Sequence, residues 1–267
     1  MTEKLMEIRD VTQRFRSAER EVVAVSRVSV QVDAGSVTCL VGESGSGKTT
    51  LARIAAGLDK PTAGSIHYRG RDISQLRGPD FMHFRREVQY VHQDPYASLN
   101  PTRTVLSTVL SALGARRNRT RRRATELLER VELTPADLFL ERYPHQLSGG
   151  QRQRVALARA LATEPALIIA DETTSMLDAS IRGSMINLLS ELRDDLGVGF
   201  LFITHDFTLA RHFAWRGRTA VLYLGELVEY GPTPEVMDTP RHAYTKALID
   251  ALPMIRFDDA DVADGAP

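Results

Sequence analysis

Val37-Thr38-Cys39-Leu40-Val41-Gly42-Glu43-Ser44-Gly45-Ser46-Gly47-Lys48-Thr49-Thr50 is an apolar run that breaks into a glycine-rich turn and ends in a lysine and two threonines. From Gly42 to Thr49 it fits the pattern G-x-x-x-x-G-K-[ST]. Gly42, Gly45 and Gly47 let the backbone curl tightly, so that successive N–H groups can point inward at a phosphate chain. Lys48 then reaches the β- and γ-phosphates, and the Thr49 hydroxyl can ligate Mg²⁺. The helix opened by Lys48-Thr49-Thr50 adds its positive N-terminal end. The segment reads as the cradle of a nucleoside triphosphate on an α/β fold. It does not say what the nucleotide drives.

Working outward, residues 5–11, 22–32 and 37–41 are valine-rich runs expected to be strands, with a helix over 49–57 that ends at a glycine. Short strands are expected at 65–68 and 87–91. Residues 94–160 change character: Asp94-Pro95 and Asn100-Pro101 punctuate the entry, and helical patterns follow at 105–113, at 122–131 and after Gly150. This block interrupts a strand–helix alternation as a helical insertion would. The alternation resumes with a continuous apolar run at 166–170, typical of a strand buried on both faces. A helix at 179–196, strands at 199–203, 219–224 and 227–230, and a last helix at 242–252 complete the pattern. Such alternation implies a mostly parallel sheet with ligands at the carboxyl ends of its strands. The acidic tail around Asp258-Asp259-Ala260-Asp261 is expected to be disordered.

Composition narrows the classes. Apolar residues make up 43% of the 267 positions, enough for a sizeable core, and the formal net charge is zero, so no global field draws the chain to nucleic acid. No apolar run approaches the ~20 residues of a membrane span. The first residues carry charges where a signal peptide would be apolar. The single cysteine, Cys39, rules out an internal disulfide and reads as a small buried hydrophobe, and no Cys/His cluster suggests zinc or iron–sulfur. A cytosolic, soluble chain is expected.

Three further segments carry chemistry. Leu147-Ser148-Gly149-Gly150-Gln151 is a second glycine turn at the start of a helix, with backbone donors, a serine hydroxyl and a positive helix end suited to another phosphate. One nucleotide does not need two cradles from one chain, so a partner is implied. Asp171-Glu172 closes a buried strand, where Asp171 could hold Mg²⁺ directly or through water and Glu172 could orient or deprotonate the water that attacks the γ-phosphate. Taken alone, two acids after a strand could be solvated loop residues. His205, at the end of Phe200-Leu201-Phe202-Ile203-Thr204, is either structural or a contact for the γ-phosphate.

In order and spacing, the set Gly42–Thr49, Leu147–Gln151, Asp171-Glu172 and His205 resembles the ATPase subunit of an ATP-binding cassette (ABC) transporter, from about residue 8 to residue 252. The resemblance implies a P-loop NTPase fold, with a RecA-like, mostly parallel core, an N-terminal antiparallel β subdomain and an inserted α-helical subdomain. It divides residues 1–256 into a core with the β subdomain (1–92 and 162–235), a helical signature subdomain (93–161) and a C-terminal helical extension (236–256), followed by the tail at 257–267. It also implies that two such subunits meet head to tail around two ATPs, so that Leu147, Ser148, Gly149, Gly150 and Gln151 of one close over the nucleotide of the other.

Carried over by position, ATP would contact Gly42, Glu43, Ser44, Gly45, Ser46, Gly47, Lys48, Thr49 and Thr50, with Lys48, Glu172 and His205 catalytic. Mg²⁺ would be held by Thr49, Gln93 and Asp171. Gln93 resembles the Q-loop glutamine and Asp178 the D-loop aspartate at the dimer interface. Phe15 resembles the aromatic that stacks on adenine, and could equally be core. Thr173 stands where the family usually has proline, and Met176 where a smaller residue is commoner.

Val91-His92-Gln93-Asp94-Pro95-Tyr96-Ala97-Ser98-Leu99-Asn100-Pro101 and Pro240-Arg241-His242-Ala243-Tyr244-Thr245-Lys246-Ala247-Leu248, the latter with Ala243 for the usual proline, resemble segments of oligopeptide and dipeptide importer ATPases, a group that includes nickel importers. The partners implied are a second ABC ATPase subunit, identical or related, two transmembrane permease subunits and, indirectly, an extracytoplasmic solute-binding protein, with the chain at the cytoplasmic face of the membrane. The basic run from Arg116 to Arg123 reads as a solvated helical connection, as a contact for anionic lipid, or as a nucleic-acid patch that lacks stacking aromatics. The competing readings are a soluble ABC-type ATPase acting on ribosomes or DNA, and a regulatory module that hydrolyses little.

Overall fold

The structure, a computed structural model, describes residues 3–16, 21–92, 99–113, 120–173 and 179–251. Three strands set its centre: β3 (Val37–Val41), β7 (Leu167–Asp171) and β8 (Gly199–Thr204) are buried along their whole length. They belong to a six-stranded sheet with β6 (Val88–Val91), β9 (Arg218–Tyr223) and β10 (Glu226–Pro232), in the order β10-β9-β3-β8-β7-β6. All pairs are parallel except the β9–β10 hairpin.

Because successive side chains of a strand point to opposite faces, each central strand feeds two cores. Cys39, Ile168, Ala170, Phe200, Phe202 and Val221 face one way, toward the helices. Leu40, Leu167, Ile169, Leu201, Ile203 and Leu222 face the other. Burying one such large apolar side chain contributes roughly 1.5–3 kcal/mol, so these two layers, rather than any polar contact, hold the sheet between its neighbours.

The second face is covered by α1 (Lys48–Ala55) and by an antiparallel sheet of β1 (Lys4–Arg16), β2 (Glu21–Asp33), β4 (Ala63–Tyr68) and β5 (Arg71–Asp72), ordered β2-β1-β4-β5. The inserted block contains α3 (Val105–Leu113), α4 (Arg121–Arg130), the short α5 (Asp137–Leu140) and α6 (Gly149–Leu161). Helices α3, α4 and α6 pack on one another, and α6 also packs on β6, tying the block to the sheet edge. Among the described residues no helix is long and apolar enough to cross a membrane.

Four helices have no counterpart in the sequence reading, among them the four-residue α5. Helix α2 (Gly78–Glu87) precedes β6 and buries only Phe84, so it shows no apolar stripe. Helices α8 (Phe207–Phe213) and α9 (Thr233–Asp238) are too short for a period to register. Helix α7 (Ala179–Leu196) and the terminal α10 (Ala243–Asp250) lie where helices were expected. The tail lies outside the described residues, as do residues 116–119 of the basic run. Arg121, Arg122 and Arg123 start α4 and pair within their own block, with Asp137, Glu141 and Glu126.

Candidate functional site

Gly42 ends β3 with φ of 148°, and a Cβ there would lie 2.1 Å from the Leu222 carbonyl oxygen. Gly47, at φ of 98°, would put a Cβ 2.2 Å from the carbonyl oxygen of Ala24. Both positions therefore require glycine for space as well as for dihedral angle. The β9–β10 turn closes on the loop from the side, with the Gly225 N–H donating to the Ser46 carbonyl at 3.2 Å. The curl places Lys48 in a buried position, where its Nζ donates to the carbonyls of Gly42 (2.7 Å) and Glu43 (2.6 Å). Burial draws the ammonium below its usual range, while the carboxylates of Glu172, Asp171 and Glu43 push the other way.

Next in the chain, the Thr49 hydroxyl donates to Asp171 Oδ1 at 3.2 Å. Asp171 is 2% exposed, and its second oxygen accepts the Tyr90 hydroxyl at 2.5 Å. Burial raises the affinity of this carboxyl for a proton, and the bonds from Tyr90 and Thr49 oppose that. Among the described residues no group of three or more Asp, Glu, His or Cys could hold a metal unaided. One carboxylate beside one hydroxyl, at the foot of the glycine-rich loop, fits Mg²⁺, which takes few protein ligands and fills its octahedron with phosphate oxygens and water.

Glu172 sits just past β7 with φ of 45°, and its N–H donates to the Ile203 carbonyl at 3.0 Å, on the neighbouring strand β8. A positive φ at a residue other than glycine marks a strained turn at the end of the strand. His205 follows β8, and its Nδ1 stands 3.6 Å from Glu172 Oε1. Lys48, Thr49, Asp171, Glu172 and His205, from three separate parts of the sequence, thus converge at the carboxyl ends of β3, β7 and β8.

Leu147–Gln151 stands apart, at the head of α6. The Ser148 Oγ accepts the Gln151 N–H at 3.3 Å and the Gln151 side chain accepts the Ser148 N–H at 3.0 Å, a reciprocal cap. Ser148 and Gly149 are exposed, whereas Leu147 is packed into the helical core. Phe15 is 51% exposed near the end of β1, opposite Val22. It is therefore not a core residue, and it pairs with the strand whose Ala24 and Val25 border Gly47. Gln93 and Asp178 lie outside the described residues, as does Met176. Thr173 is buried.

Sequence reasoning missed Tyr90 and Tyr244. The Tyr244 hydroxyl, on α10, accepts the Glu43 N–H at 3.1 Å. No local pattern marks Tyr90, and the segment that resembles peptide importers contains Tyr244 without tying it to the loop, because each tyrosine acquires its partner through strand order or chain return.

Residues 25–175 match the family model described as ABC transporter. The chain belongs to the ABC transporter family. Its residues 228–265 match a second model, the oligopeptide/dipeptide transporter C-terminal region. Relatives of this cassette include the glutathione import ATP-binding protein GsiA of Pectobacterium atrosepticum and that of Escherichia coli K12, each 41% identical over 263 residues, or 94% of this chain. The ABC chain spans only 42% of the length of either relative. Among solved structures, a dimeric post-hydrolysis state of the ATP-binding cassette MJ0796, bound to ADP and Pi, matches with a TM-score of 0.76 and 33% identity, covering 86% of this chain and 99% of that one. The cbiO1 subunit of the cbiONQ ABC transporter from Clostridium perfringens matches with a TM-score of 0.76 and 25% identity, over 89% of this chain and 92% of that one. The α/β cassette fold expected from the sequence is thus the fold observed.

Proposed function

We propose that this cassette is the ATP-binding and ATP-hydrolysing subunit of an importer, coupling closure of a head-to-tail dimer to movement of a solute, in the first instance a small peptide. The observation that carries the reading is the convergence of Thr49 on Asp171 at 3.2 Å and of His205 on Glu172 at 3.6 Å beside the buried Lys48. In this reading the loop N–H groups and Lys48 bind the phosphates, and charge developing on the γ-phosphoryl oxygens is offset by the ammonium. Glu172 accepts a proton from the attacking water, and His205 contacts the γ-phosphate and steadies Glu172. The water oxygen bonds to the γ-phosphorus as the bond to the β–γ bridging oxygen breaks, giving ADP and phosphate. Mg²⁺, held by Thr49 and Asp171 with Gln93, would neutralise phosphate charge there.

The outward-facing Ser148 turn is the surface offered to the nucleotide of a second ABC subunit, and Phe15 the surface offered to adenine. For the permease we assign the groove of about 310 Å³ between core and helical block, lined by Leu58, Tyr90 and His92 on one side and Ala112 and Arg159 on the other. It lies directly before Gln93 in the chain, so a short cytoplasmic helix of a permease seated there would touch the segment leading to the metal site. Such an arrangement puts the chain on the cytoplasmic face of the membrane. Peptide as the solute rests on the match of residues 228–265 and on what the relatives are named for.

The test is Glu172→Gln in the full chain. It should keep ATP bound, accumulate the dimer in light scattering, and lose at least about 10²-fold in steady-state hydrolysis. Hydrolysis at the original rate would overturn the assignment. ATP-driven uptake of a labelled tripeptide into vesicles holding the permeases tests the solute.

A further inference from the structure

Glu43 is held from both sides of its backbone. Its carbonyl accepts Lys48 Nζ at 2.6 Å, and its N–H donates to the Tyr244 hydroxyl at 3.1 Å, a partner 201 positions later in the chain. The Tyr244 ring rests on Tyr223, the last residue of β9, with centroids 4.1 Å apart. The start of α10 is fastened to the same hairpin by Glu229 on β10. One of its carboxylate oxygens accepts the Arg241 N–H at 2.8 Å and the other the His242 N–H at 3.2 Å. His242 then caps α10, its Nδ1 accepting the Tyr244 N–H at 3.2 Å. A continuous chain of contacts therefore runs from β10 through the His242-Ala243-Tyr244 segment to the first turn of the phosphate loop.

A cradle of backbone N–H groups works only if the peptide planes keep their orientation, and an exposed loop would otherwise share that orientation with water. Glu43 opens the curl, so fixing its N–H outward, on a phenol seated in the fold, fixes the sense in which the following N–H groups turn inward. We propose that Tyr244 is a positioning residue for the phosphate loop, through which the C-terminal segment sets the nucleotide affinity of this same subunit. The proposal rests on reading Gly42–Thr49 as the ATP cradle. It gives the segment around His242 and Tyr244 a task at the ATP site, apart from any contact with a permease or a solute.

The test is ATP binding by the full chain, measured by titration calorimetry, with steady-state hydrolysis alongside. Tyr244→Phe keeps the ring on Tyr223 and removes only the acceptor, so it should fold and should raise the Kd and KM for ATP about three- to tenfold, the worth of one hydrogen bond. Its kcat at saturating ATP should stay within about twofold, since the brace acts on binding. Tyr230→Phe is the control: it loses a bond of the same kind, from the Gln31 N–H at 3.2 Å, away from the loop, and should bind ATP like the parent. Equal Kd values for Tyr244→Phe and the parent overturn the proposal, as does an equal loss in Tyr230→Phe. Lys48→Ala separates the two levels of inference. If it abolishes ATP binding while Tyr244→Phe changes nothing, the cradle stands and the brace falls; if it binds ATP normally, the cradle reading itself fails.

Discussion

The hydroxyl of Tyr90 donates to Asp171 Oδ2 at 2.5 Å, while Thr49 takes the other oxygen of the same carboxylate at 3.2 Å. Parallel pairing of β6 with β7 makes the first bond possible. Tyr90 is in register with Ile169, and alternation puts Asp171, two residues further on, on the same face. A carboxylate gripped at both oxygens has one orientation to offer a cation, and partners of this outer kind typically control metal affinity. Tyr90→Phe should therefore shrink the gain in ATP affinity that Mg²⁺ provides by about tenfold, leaving metal-free ATP binding unchanged. Equilibrium titrations with Mg²⁺ and with EDTA check this, and an unchanged ratio between the two would sink it.

Gly47→Ala meets two obstacles at once: a φ of 98° and an Ala24 carbonyl oxygen 2.2 Å from the new Cβ. The dihedral alone costs about 1–2 kcal/mol. The clash can be relieved only by moving the loop. ATP affinity should fall by at least about tenfold, as 1.4 kcal/mol already implies, with the far-ultraviolet circular dichroism of the parent retained. Near-parent affinity in a calorimetric titration would refute the steric argument.

His205 stands 3.6 Å from Glu172 and is half-exposed, so it can be removed without opening the core. His205→Ala should lower the single-turnover rate of ATP hydrolysis by about 10²-fold, within the range expected for a positioned acid–base group. ATP affinity should change by less than about threefold, because in the proposed arrangement the loop and Lys48 hold the phosphates. Rapid-quench kinetics paired with equilibrium binding separates these, and a purely affinity-based defect would contradict the role.

Thr173 is buried, and its hydroxyl has no protein hydrogen-bond partner among the described residues. A hydroxyl in that condition costs about 1–3 kcal/mol. Thr173→Val keeps the shape and removes the group, so the melting temperature should rise by about 2–4 °C per kcal/mol recovered. A lower melting temperature in calorimetry would show that the hydroxyl is satisfied after all.

How much of this was legible beforehand follows from range along the chain. The loop from Gly42 to Thr49, the glycine turn from Leu147 to Gln151, and the Asp171-Glu172 pair after an apolar run are patterns of neighbouring residues, so the sequence by itself determined the cassette fold and pointed to the strand ends as the candidate site. Short range also explains what was lost: α2 buries one side chain, and α8 has seven residues, too few to register a period. Only the tertiary structure decided which carbonyls crowd Gly42 and Gly47, that Tyr90 grips Asp171, and that Tyr244 returns from α10 to hold Glu43. The strand order β10-β9-β3-β8-β7-β6 sets β3 between strands from the far end of the chain. Those contacts are fixed by the two apolar cores that assemble the sheet, and no local spacing records them.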